Sequence, residues 1–160
     1  MEEINIKPEK LIKLKWIGPF SYGPNGLIKS ATDPFGPSQK QLNAYYDHGG
    51  LYSVIADHPV HGLRSLIYIG QTNSFSRRLE DEHIWLCEEW RTDIYLTKLE
   101  REKIRDDVEK LLIYVHSPAY NSKNISNPPK LKIRYRILNE GRFWKLYPDI
   151  SSQHDWCLPY

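Results

Sequence analysis

Sulfur is scarce in this chain, whose 160 residues hold two cysteines and one methionine. Cys87 and Cys157 are too few for a disulfide framework or a zinc site, which favours a reducing cytoplasm and two ordinary buried thiols. Long apolar runs are missing, as is a charged start followed by an apolar stretch. Neither a membrane span nor a secretion signal is expected, and the expected location is cytoplasmic. The chain also lacks an internal repeat, a low-complexity tract and a large excess of either charge, the formal net being +2.

Apolar residues make up 40% of the chain and aromatic residues 12%, which at this length suits one compact domain with a real core, residues 1–160. The charges are unevenly spread. Residues 50–121 hold nine Lys and Arg against twelve Asp and Glu, whereas residues 122–160 hold seven against three. A surface for a polyanion is therefore expected toward the C-terminal end.

Residues 1–49 carry Gly18-Pro19, Gly23-Pro24-Asn25-Gly26, Asp33-Pro34 and Gly36-Pro37, a density of breakers that excludes long helices and predicts an extended, turn-rich arm. Trp16, Phe20, Tyr22 and Phe35 are expected to pin it to the body. From Gly50 the pattern changes to two short strand-like runs, Leu51 to Ala56 and Ser65 to Gly70, joined by a long hairpin connection over 57–62. Asn73 or Ser74 can cap a helix that turns Phe75, Leu79 and Leu86 inward. Residues 91–96 suit a third strand. Thr97 and Glu100 have capping-box spacing, and Ile104, Val108, Leu111, Leu112 and Val115 follow at helical spacing, predicting a helix over about 98–116. Beyond it, Leu131, Ile133, Tyr135 and Ile137 alternate with Lys130, Lys132, Arg134 and Arg136, a strand with one apolar and one basic face.

The residues with chemistry are spaced along these elements. Gly50-Leu51-Tyr52 and Tyr68-Ile69-Gly70 lie on the first two strands, Arg78 comes eight residues after Gly70, Glu109 flanks the apolar stripe of the long helix, and Asn121 follows Ser117-Pro118-Ala119-Tyr120. Two tyrosines, an arginine, a lone carboxylate and an amide are what metal-assisted attack on a phosphate requires. Arg78 offers a planar fork of donors and keeps its charge, which suits the pentacovalent state, while Arg77 is its rival. Glu109 suits one divalent ion, Mg²⁺ or Mn²⁺, with water and phosphate oxygens in the remaining positions. Each residue also has a plain structural reading: the tyrosines as half-buried strand aromatics, Arg78 paired with Glu82, Glu109 paired with Arg105, and Asn121 ending a turn. For Lys130, Lys132, Arg134 and Arg136, a row tracking DNA phosphates and a charge-protected edge strand are equally good readings. His58, His61 and Arg64 read best as an exposed polar loop.

The ordered set, in a β, β, α, β, α frame over roughly residues 48–125, resembles the GIY-YIG nuclease superfamily. Leu51 stands where that family's name-giving isoleucine would be. The resemblance implies an α+β fold with a small, central, mostly antiparallel sheet flanked by helices, here with an N-terminal arm (1–49), a catalytic core (50–121) and a basic C-terminal extension (122–160). It further implies that Tyr52 activates the attacking water, that Tyr68 orients the water or the phosphate, and that Arg78, Glu109 and Asn121 complete the site. His83 would help from five residues beyond Arg78, although family members often carry a His or Tyr four residues on, where this chain has Glu82. The longer hairpin connection and the two extensions look most like the restriction-endonuclease branch. The resulting expectation is a Mg²⁺-dependent endonuclease on double-stranded DNA, its oligomeric state open between a monomer and a homodimer. A non-catalytic nucleic-acid-binding module, a nuclease toxin and a repair nuclease are the alternatives.

Overall fold

The computed structural model describes residues 9–23, 26–29, 33, 35–80 and 92–152. These form an α+β fold of seven strands and three helices: β1 (Glu9–Gly23), β2 (Gly26–Lys29), α1 (Gln39–Tyr46), β3 (Gly50–His58), β4 (Gly62–Thr72), α2 (Phe75–Glu80), β5 (Asp93–Lys98), α3 (Glu102–His116), β6 (Arg134–Gly141) and β7 (Asp149–Ser151). The strands make one sheet in the order β4-β3-β5-β1-β6-β7, with β2 also joined to β1. All pairings are antiparallel except β1 with β6. Among the described residues no helix is long and apolar enough to cross a membrane.

The N-terminal segment is not a peripheral arm. β1 runs through the middle of the sheet, between β5 and β6. The reason lies in its alternation: Ile12, Leu14 and Trp16 are buried while Lys13 and Lys15 between them are exposed, the period of a strand with one face in the core. The breakers Gly18-Pro19 fall where the pairing with β5 shifts register, between Ile17 and Phe20, so they bend the strand rather than end it. Of the expected anchors, Trp16 and Phe20 are buried, but Phe35 is 85% exposed and pins nothing. The Trp16 indole donates to the Asn139 side chain at 2.8 Å, which ties β1 to β6.

Two further expectations change. α3 starts at Glu102 after Arg101, which makes no side-chain cap, because Thr97 is a buried residue of β5 and cannot also cap a helix. The Glu100 carboxylate instead meets His48 Nδ1 at 2.6 Å and the Gly49 N–H at 3.4 Å. The helix ends on Ser117 in the left-handed region (φ 45°), immediately before Pro118. The basic strand is also shorter than its alternation suggests, because β6 begins at Arg134 and leaves Lys130 and Lys132 in irregular chain. Nor is it an edge: β1 pairs with one side of β6 and β7 with the other.

The sheet separates two cores. Leu14, Trp16, Leu51, Ile69, Tyr135 and Ile137 pack with Val108, Leu111 and Leu112 of α3 on one face. Phe20, Tyr52, Val54, Ile94 and Leu96 pack with Leu42 of α1 and Phe75 and Leu79 of α2 on the other. β4 lies at the end of the strand order, and the chain leaving α3 covers its outer edge: the Tyr120 N–H donates to Ile67 O at 2.8 Å. That covering protects the exposed ladder groups of an end strand and brings residues 119–121 beside the Tyr68 segment.

Candidate active site

Both motif glycines have a steric reason. A Cβ on Gly50 would strike the Thr97 carbonyl of the neighbouring strand, and one on Gly70 would lie 2.5 Å from Tyr52 Oη and 2.7 Å from Tyr68 Cε1. Tyr52 and Gly70 face each other across the β3–β4 ladder, so the tyrosine ring lies over the space that the missing side chain leaves. The Tyr52 and Tyr68 rings are 5.9 Å apart at their centroids and tilted by 30°.

Arg78 reaches this pair from α2. Its Nε donates to Tyr52 Oη at 3.1 Å, and its guanidinium also interacts with the Tyr68 hydroxyl. Arg77 beside it is exposed, so of the two arginines Arg78 is the one turned to the tyrosines. Burial pushes the Tyr52 phenol well above its ordinary pKa, and the hydrogen bond from Arg78 opposes that rise only in part. Burial thus disfavours the Tyr52 phenolate, and the hydroxyl accepts the hydrogen bond from Arg78. Tyr68 is less buried than Tyr52.

Glu109 comes from α3. Its carboxylate accepts from Gln71 Nε2 at 2.8 Å, and the same amide donates to Asp106. Burial raises the Glu109 carboxyl above the usual carboxylate range; the Gln71 hydrogen bond lowers it and the negative charge of Asp106 raises it again. Arg105 is turned away from the surface pairing considered above. It is 2% exposed, and it donates to Gln71 Oε1 at 2.9 Å, to the Leu99 carbonyl at 3.1 Å and to Asn73. Arg105 entered the sequence reading only as a surface partner of Glu109, and Gln71 and Asp106 were not singled out by it. Their signals were position alone: Gln71 follows the second motif glycine, and Asp106 sits three residues before Glu109 on one helix face.

Asn121 is buried and clamps the backbone of β4. Its Oδ1 accepts from the Ile69 N–H at 3.0 Å and its Nδ2 donates to the Ile69 carbonyl at 2.9 Å. Both ends of the amide are engaged by the residue between Tyr68 and Gly70, which makes Asn121 a positioning residue for that strand. His83 and Glu82 lie outside the described residues, as do both cysteines. The basic row is split: Lys130 and Lys132 are exposed, Arg134 is half-buried, and Arg136 forms a two-pronged pair with Asp149 at 2.7 and 3.1 Å. His58 accepts from the Val60 and His61 N–H groups within its own turn.

No family model, curated protein or solved structure matched this chain. Among the described residues no three His, Cys, Asp or Glu side chains gather around one point. Glu109, with Asp106 on the same amide, is the donor set available to a divalent ion, which would need water or substrate oxygens for its remaining positions.

Proposed function

We propose that the chain is a divalent-metal-dependent endonuclease of the GIY-YIG type, cutting double-stranded DNA in the manner of a restriction enzyme. The observation that carries the reading is the convergence of Tyr52, Tyr68 and Arg78 around the side-chain-free surface of Gly70, with the half-buried Glu109 joined to the next residue, Gln71. A structural role alone does not require a carboxylate kept in a desolvating position beside a second carboxylate, since each raises its cost as a charged group. A bound cation would offset that cost, so the residues fit a Mg²⁺ or Mn²⁺ ion held by Glu109.

When bound, such an ion supplies Lewis-acid stabilisation of phosphate charge and a more acidic water. The protein groups have separate tasks. Arg78 presents its guanidinium to the phosphate and stabilises charge that develops on the oxygens during in-line attack. Tyr52 holds that guanidinium in place through its hydroxyl. Tyr68, more accessible and on the same cation, orients the attacking water. Asn121 fixes the β4 backbone so that Tyr68 and Gly70 keep their register, and Gln71 aims Glu109. Lys130, Lys132 and Arg134 follow α3 in sequence and are the basic residues proposed to meet the DNA backbone.

The test is incubation of purified protein with supercoiled plasmid, with and without Mg²⁺, alongside Glu109→Gln. Discrete Mg²⁺-dependent fragments from the parent and none from the variant are expected. Uncut plasmid under every divalent condition, or full activity in the variant, would remove the reading.

A further inference from the structure

A second concave site, lined by neither Tyr52 nor Tyr68, lies at the Asp93 end of β5. It is a cavity of about 360 Å³ whose charged lining is Asp33, Arg64, Asp93 and Arg142. Asp93 is 1% exposed and pairs with Arg64, and Arg142 pairs with Asp33 at 3.1 Å. Tyr95, Phe143 and Trp144 line the same space, and Trp144 keeps 46% of its surface exposed beside these polar groups. Arg64 holds its place in the left-handed region at φ 54°, a conformation that costs free energy in a residue with a Cβ.

We infer that this cavity binds a guanine base, stacked on Trp144 and read through its edge by the Asp33–Arg142 pair and by the guanidinium of Arg64, which the buried Asp93 holds in place. Three features select that chemistry. First, the four charged side chains sum to zero, so a phosphate or another anion would gain nothing from the arginines that the carboxylates do not oppose. A neutral ligand with donors and acceptors side by side fits instead. Second, guanine presents N1–H and N2–H₂ donors beside its O6 and N7 acceptors, the complement of a carboxylate next to a guanidinium. Third, the volume is near the lower end of ligand pockets, about 300 to 1,000 Å³, room for one ring system rather than a chain, and the aromatic side chains supply a face to stack on. Bases read outside a duplex are held in this way, by edge hydrogen bonds and stacking.

The inference takes nucleic acid as the source of the base from the nuclease reading, but its test does not depend on cleavage. Saturation-transfer NMR and calorimetry with guanosine, adenosine and L-phenylalanine probe the full chain, since guanosine carries no phosphate and L-phenylalanine is a zwitterion with one ring. Guanosine is expected to bind saturably, at least about 10-fold more tightly than adenosine or L-phenylalanine, a difference of about 1.4 kcal/mol. Asp33→Asn and Trp144→Ala, each at a partly exposed position, should lower guanosine affinity by about 10-fold or more with unchanged circular dichroism. Asp93 is left intact because its removal would strand Arg64. A duplex with one bulged guanine, compared with its fully paired form, separates the two sources of the base. Preference for the bulge assigns an extrahelical base, and equal binding with guanosine retained assigns a free nucleotide. Absent guanosine binding, binding unaffected by both variants, or equal binding of L-phenylalanine overturns the inference. Guanosine binding by a chain that leaves DNA uncut would remove only the nuclease reading, and cleavage without guanosine binding only this one.

Discussion

His116 is expected to make folding stability fall steeply in mild acid. Its ring is enclosed at the end of α3: Nδ1–H donates to the Leu112 carbonyl at 2.8 Å, Nε2 accepts from the Tyr147 N–H at 2.9 Å, and the ring stacks on Tyr147 with centroids 5.2 Å apart. Both nitrogens are engaged in the neutral form, and a proton on Nε2 would face an N–H rather than an acceptor. Burial accordingly lowers the pKa from 6.5 to about 4, with the Leu112 carbonyl opposing the fall. The folded value lies below the unfolded one, so the stabilisation is complete above the unfolded pKa and is lost as pH drops through the folded pKa. Over the full window the two values correspond to roughly 3 kcal/mol, of which about 2 kcal/mol is already lost near pH 5. Urea unfolding at several values from neutral to about pH 5 measures this, with His116→Gln as the reference. Glutamine can still donate to Leu112 and accept from Tyr147, yet it does not titrate. Glu109, whose pKa is raised, shifts stability in the opposite sense in both proteins and cancels in the difference. The parent should lose about 2 kcal/mol more than the variant over that interval. Parallel pH profiles would show that His116 is not held neutral.

Gly70→Ala should place a methyl against Tyr52 and Tyr68, cost about 1–3 kcal/mol by overpacking and depress cleavage further by moving both rings; a variant as stable and active as the parent would contradict the close approach at Gly70. Tyr52→Phe removes the acceptor of Arg78, so a stability loss of about 1.5–3 kcal/mol is expected in urea unfolding together with a lower cleavage rate; a neutral result would detach Arg78 from Tyr52. Arg78→Lys should lower the single-turnover cleavage rate by about 10-fold or more while Arg77→Lys changes it little, and the reverse ranking would reassign the site arginine. For DNA binding, Lys130→Gln, Lys132→Gln and Arg134→Gln should each reduce the slope of log affinity against log salt by about 1, and Arg136→Gln by less because Asp149 already neutralises it; equal slopes for all four variants and the parent would move the DNA surface elsewhere.

The central elements were legible because their signals are local. β3, β4 and β5 match short β-branched and aromatic runs to within three residues at their starts, and α3 follows a 3.6-residue stripe that Pro118 stops, since backbone sterics and side-chain periodicity act over a few residues. The capping-box spacing of Thr97 and Glu100 was misleading for the opposite reason. Hydrogen bonding between strands drew Thr97 into β5, and a long-range contact drew Glu100 to His48.

Local pattern by itself determined that 51–56 and 65–70 would be strands joined as a hairpin and that Arg78 and Glu109 would stand on helices after them, while the α+β class was what the family resemblance implied. Only the tertiary structure decided that β1 runs through mid-sheet, because a strand's neighbours are chosen by which faces must be buried, and Gly18-Pro19 could be absorbed as an irregularity between Ile17 and Phe20. It also decided that Asn121 holds the Ile69 backbone, that Arg105 turns inward to Gln71, and that Arg136 is neutralised by Asp149. Those partners are 52, 34 and 13 residues apart in the chain. A side chain's chemistry is written in the sequence, but the atom it meets depends on how the whole chain closes around its core, and that closure is a property of the packed sheet and helices together.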